Sequence, residues 1–157
     1  MRQHDDGVDG VELDTSMGYL LKEASSALRA AMEAVLRPLG MTVTHYACLE
    51  LLAQRPGLSN SELARGTFVT RQSMNVLLQA LEREGAVTRP PVAPVGKALP
   101  ARLTPRGREQ LDVASAAVRS VERRMLSGLD ADDQATATRL LRSMVRSLHD
   151  EPGASEV

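Results

Sequence analysis

Apolar residues recur at alternating spacings of four and three through Met17, Leu21, Ala24, Leu28, Ala31 and Val35, predicting one amphipathic helix from Ser16 to about Pro38. Leu20, Met32, Leu36 and Leu39 widen this stripe beyond the needs of one partner helix, and Pro38-Leu39-Gly40 closes it. A second helix is predicted from a Thr42 cap to about Arg55, with Tyr46, Leu49, Leu52 and Ala53 on its inner side and Pro56-Gly57 as its stop.

The pattern then shortens. Ser59 and Glu62 form a capping box, in which the hydroxyl accepts a backbone N–H of the first turn and the glutamate reaches back to the cap. A short third helix is predicted from there to about Gly66. Thr70 caps a fourth, whose Met74, Leu77, Leu78 and Leu81 form a buried set, leaving Arg71, Gln72, Asn75, Gln79 and Glu82 on the other side. After Gly85, two short extended pieces, Ala86–Pro90 and Ala101–Thr104, flank a tip at Gly96-Lys97. The prolines at 90, 91, 94 and 100 suit an edge hairpin and exclude a central strand. Thr104-Pro105 supplies an N-cap and an N1 proline for a long helix through Leu111, Ala114, Val118, Val121 and Met125. Asp130 caps a last helix bearing Ala137, Leu140, Leu141, Met144, Val145 and Leu148.

Two short helices, a strand, a Pro/Gly-rich tongue with a lone lysine and a second strand predict a winged helix-turn-helix. In that arrangement one helix enters the major groove and the wing reaches the neighbouring backbone or minor groove. The expected class is mainly α with a small β-hairpin wing and six helices. At 157 residues the chain is expected to be a single compact unit with a real core.

Charge sharpens this reading. The net charge of −1 hides an asymmetry: Ser59–Arg108 holds eight basic residues against three acidic ones, whereas residues 1–15 hold one arginine against five acids. A basic segment that coincides with a groove-binding motif points to phosphate. The only aromatics, Tyr19, Tyr46 and Phe68, are too few for a protein that grips single strands by base stacking, and duplex binding does not need them. Residues 1–15 and 150–157 are expected to be tails, the first of them acidic and disordered. No signal peptide opens the chain and no apolar run approaches a membrane span, so a cytoplasmic location is expected.

The local strings LGMTVTHYACLELLAQRPGLSNSELARGTFVTRQSMNVLLQALEREGAVTR and RLTPRGREQL resemble the MarR family of bacterial transcriptional regulators, and the resemblance in element order extends from about residue 16 to 148. It implies an intertwined homodimer joined through helix 1 (16–41) and helices 5 and 6 (106–149), with two winged lobes (42–105) straddling a palindromic operator. Such proteins commonly repress and release DNA when a small ligand or oxidant acts. The family's wing often carries Asp-x-Arg ahead of the Leu-Thr, and the corresponding positions here are Val95 and Lys97. Lysine keeps the charge but lacks the planar fork, which predicts a wing contact less sensitive to groove shape.

For DNA, Arg71, Gln72, Ser73, Asn75 and Gln79 are the expected readers, because Gln and Asn pair with adenine edges and Arg with guanine. Ser59, Ser61 and Thr70 are expected phosphate donors near helix N-termini, with Arg89, Lys97 and Arg102 as cations on the wing. The resemblance places an effector crevice between dimer helices and lobe, which here involves Tyr19, Met32, His45, Tyr46 and Leu49. Cys48 cannot form an intrachain disulfide and is expected to be buried and structural. A redox-sensor or thiol-enzyme role for it, and a winged helix used only for protein assembly, are the competing readings. His4, His45 and His149 have no close acidic or cysteine partners in a ligand spacing, so no metal or cofactor is expected, and no enzymatic activity.

Overall fold

The computed structural model describes residues 10–150. Six α-helices and two strands follow one another: α1 (Met17–Leu36), α2 (Val43–Gln54), α3 (Asn60–Thr67), α4 (Arg71–Arg83), β1 (Val87–Thr88), β2 (Arg102–Leu103), α5 (Pro105–Met125) and α6 (Ala131–His149). Each cap predicted at Thr42, Ser59, Thr70, Thr104 and Asp130 closes its helix, and Ser16 caps α1 in the same way. The side chains of Ser16, Thr42, Ser59, Thr70 and Asp130 accept the N–H of the residue three positions on, and Thr104 Oγ1 accepts that of Gly107. The capping box at Ser59 is complete, with Glu62 Oε2 accepting the Ser59 N–H at 2.7 Å.

The chain divides between Val118 and Arg119 into two compact units, which corrects the expectation of a single one. The predicted division at residue 105 falls inside the first of these units. Leu111 and Ala114 are buried in the core of the first unit and Val118 packs against it, so the first two-thirds of α5 belongs to the winged lobe. That core is built from Leu36 of α1, Cys48, Leu49 and Leu52 of α2, Leu63 and Ala64 of α3, and Met74, Leu78 and Leu81 of α4, closed by Ala86, Val87 and Ala101.

Val87 pairs with Leu103 and Thr88 with Arg102 in an antiparallel register. A further bridge, absent from the sequence reading, joins Leu58 to Ala101: Ala101 N–H donates to Leu58 O, and Gly57 N–H to Ala101 O, both at 2.9 Å. The segment before α3 is thus tied by this single bridge to the base of the wing. Gly107 lets α5 sit against β1, since a Cβ there would lie 2.1 Å from Ala86 O.

The second unit contains the end of α5 and all of α6. None of α6 is buried, and Leu140, Leu141, Val145 and Leu148 stand exposed along it. The expected acidic tail is in part ordered. Leu13–Thr15 form a turn of 3₁₀ helix in which Ser16 N–H donates to Leu13 O, because the chain must be brought into the Ser16 cap; residues 1–9 and 151–157 lie outside the described residues.

Candidate nucleic-acid interface

Helices α3 and α4 are held by a short, tightly bonded turn. Val69 N–H donates to Ala64 O at 3.0 Å, and Asn60 Nδ2 donates to Arg71 O at 3.0 Å, tying the first turn of α3 to the first residue of α4. With Met74, Leu78 and Leu81 buried, the opposite side of α4 faces solvent, and Arg71, Gln72, Ser73, Asn75 and Gln79 are all exposed on it. This follows from the helical period. Thr70 Oγ1 accepts Ser73 N–H and donates to Ser73 Oγ at 2.9 Å, so both hydroxyls sit together at the N-terminus of α4, where backbone N–H groups attract anions. Ser59 and Ser61 are half-buried in the first turn of α3.

The wing ends in a tight reversal at Gly96-Lys97, closed by a bridge between Val95 and Ala98 and by Gly96 in a left-handed conformation. Lys97 is exposed at this tip, and Arg102 is exposed at the wing's base beside Gly57. Arg89 departs from its expected place. It forms an ion pair with Glu82, Nε to Oε1 at 2.7 Å, and its side chain is only 11% exposed, so it braces α4 against the start of the wing instead of presenting a free cation.

Two residues of this surface were missed by charge and polarity. Val76 is 60% exposed amid the polar residues of α4, and Phe68 is 95% exposed in the turn between α3 and α4. Neither carries a polar signal that would have singled it out.

The residues expected around an effector separate. Leu49 is fully enclosed in the core and has no surface to offer a ligand. Met32 and Tyr46 pack partly buried against that core, and Tyr19 is exposed on α1. His45 is half-buried, its Nε2 has no hydrogen-bond partner, and burial lowers its pKa against an opposing pull from Glu84. Cys48 is enclosed, and burial pushes its thiol up to about 12, which disfavours the thiolate near neutral pH. Among the described residues no cluster of His, Cys, Asp and Glu is arranged to hold a metal, and no helix is long and apolar enough to cross a membrane.

Residues 39–98 match the sequence profile of the MarR family. The HTH-type transcriptional repressor Rv2887 of Mycobacterium tuberculosis is 44% identical over 135 residues, covering 86% of this chain and 97% of the relative. The crystal structure of the M. tuberculosis MarR family protein Rv2887 in complex with DNA matches with a TM-score of 0.70 at 44% identity, covering 83% of this chain and 98% of that one. Its complex with salicylic acid matches with a TM-score of 0.68 at 44% identity, covering 83% and 97%. With the capped helix pair, the anchored wing and this likeness over 86% of the chain, the protein belongs to the MarR family.

Proposed function

We propose that this chain is a sequence-specific double-stranded DNA-binding repressor that occupies an inverted-repeat operator as a homodimer and responds to a small-molecule effector. The observation that carries the reading is the exposed polar face of α4, held by the Thr70 cap and flanked by exposed Arg65, Arg102 and Lys97. In it Arg71, Gln72, Ser73, Asn75 and Gln79 read or orient DNA, Ser59, Ser61 and Thr70 hold phosphates, and Lys97 meets the backbone or minor groove. The relative's name as a repressor and its complex with DNA support this assignment.

The homodimer is supported by the apolar residues left uncovered at both ends of the chain. Met17, Leu20 and Leu21 on α1 and Leu140, Leu141, Val145 and Leu148 on α6 are exposed, more apolar surface than a small soluble monomer leaves to water. A second copy buries it. The complex of the relative with salicylic acid supports an effector of that kind, an aryl carboxylate. Here the enclosed, unpartnered His45 Nε2 supplies a polar atom that a ligand oxygen satisfies, with Tyr19, Met32 and Tyr46 as further candidates.

The test is an anisotropy titration of the full chain against duplex DNA from upstream of its own gene and against a scrambled duplex of equal length, at several salt concentrations. Tight binding to the first with a steep salt dependence, and release by salicylate, is expected. Equal affinity for both duplexes overturns the repressor reading in favour of non-specific binding.

A further inference from the structure

Phe68 and Val76 are exposed at a cost to the isolated fold. Phe68 is the only residue other than glycine with a positive φ among the described residues, at 60°. A left-handed conformation strains any side chain with a Cβ, and glycine or asparagine occupies such helix ends without that strain. At 95% exposure, the ring recovers almost none of this by burial. Val76, 60% exposed in the middle of α4, is β-branched where alanine would favour the helix. A surface outside the lobe would give both side chains the contacts the lobe does not.

Their surroundings identify it. Val76 lies one turn beyond Gln72, with exposed Asn75 and Gln79 beside it. Phe68 stands in the turn leading into the α4 N-cap, between the exposed arginines at 65 and 71. An apolar protein surface would leave those arginines and amides unpaired, whereas a duplex groove offers phosphates to the cations, base edges to the amides and apolar 5-methyl groups on thymine. We propose that Val76 and Phe68 read thymine 5-methyl groups in each operator half-site, Val76 within it and Phe68 at its edge. The inference rests on the DNA-binding reading above and adds a base preference to it. Thymine is recognised by apolar contact as well as by hydrogen bonding.

The experiment replaces thymine by deoxyuridine, which removes only the methyl group, one symmetric pair at a time in the duplex protected upstream of the gene. Wild type, Val76→Ala and Phe68→Gly are titrated on each duplex. Neither substitution removes a buried contact, and alanine in a helix and glycine at a positive φ suit the backbone better than the native residues, so melting temperatures hold or rise. Each variant is expected to bind the thymine operator about tenfold more weakly, the weight of roughly one buried methyl per half-site, with an unchanged salt slope. At one thymine pair for each variant, the deoxyuridine penalty seen with wild type should vanish. Penalties that persist equally in both variants at every thymine, or no penalty with wild type, overturn the inference while leaving operator binding intact. Wild type that binds operator and scrambled duplex alike overturns the DNA-binding reading, and the inference with it.

Discussion

Replacing Lys97 by alanine separates a wing that touches DNA from one that only decorates the lobe. The lysine sits at a tip closed by the Val95–Ala98 bridge, exposed and without an ion-pair partner among the described residues, so its removal disturbs no packing. Each neutralised phosphate contributes about 0.9 to the slope of log K against log salt, so the loss of two wing contacts from a dimer lowers the slope by about 1.8. Between 50 and 200 mM salt the wild-type affinity then falls about twelvefold more than that of the variant. Arg89 supplies the internal control. Its guanidinium is already paired with Glu82, so Arg89→Ala lowers stability by about 1 kcal/mol, discounted for partial exposure, while leaving the slope unchanged. The assay is anisotropy at four or five salt concentrations, with thermal melts beside it. A Lys97→Ala slope equal to wild type, or an Arg89→Ala slope that falls as far as that of Lys97→Ala, refutes the reasoning.

Four further outcomes follow from the packing. Gly107→Ala forces a Cβ to within 2.1 Å of Ala86 O and displaces the Thr104 cap from the Gly85 carbonyl to which its Oγ1 donates, lowering stability by about 3 kcal/mol and Tm by roughly 6–12 °C. Gly18→Ala, with open space around the new methyl, raises Tm or leaves it unchanged; melts that rank the two variants the other way contradict the packing described. Cys48 should resist a thiol reagent at pH 8 in the native protein and react only as fast as the chain unfolds, and Cys48→Ser should still bind operator; rapid native labelling would restore the redox reading. Burial holds the folded-state pKa of His45 below its ordinary 6.5, so the unfolded chain takes up the proton first. Stability is therefore full above that value and falls as pH drops from 6.5 towards the folded pKa. In His45→Gln this part of the pH dependence should disappear from denaturant titrations.

What was legible in the sequence was local. Thr42, Ser59, Thr70, Thr104 and Asp130 announce helix starts because a short polar side chain satisfies an N–H three residues away, a reach fixed by covalent geometry. The polar face of α4 followed from the period of its buried leucines. What escaped depends on residues distant in sequence or on conformations that composition does not encode. The Leu58–Ala101 bridge joins segments more than forty positions apart, and the Arg89–Glu82 pair forms only because the turn at Gly85 brings the wing's first strand back along α4. Gly66 looked like the end of α3, yet the helix runs to Thr67 and the left-handed residue is Phe68. Leu49 has the same helical spacing as its neighbours, and only the packing around it distinguishes a core leucine from one that lines a crevice.

In the proposed function two copies of the α4 face read two half-sites in fixed register. In the recognised geometry half-sites lie about one helical turn apart, roughly 34–36 Å. Inserting five base pairs between the half-sites of the protected duplex turns one of them to the opposite face of the DNA. Affinity is then expected to drop to that of a scrambled duplex, with two protomers bound per unaltered operator. Undiminished binding to the expanded duplex would contradict it.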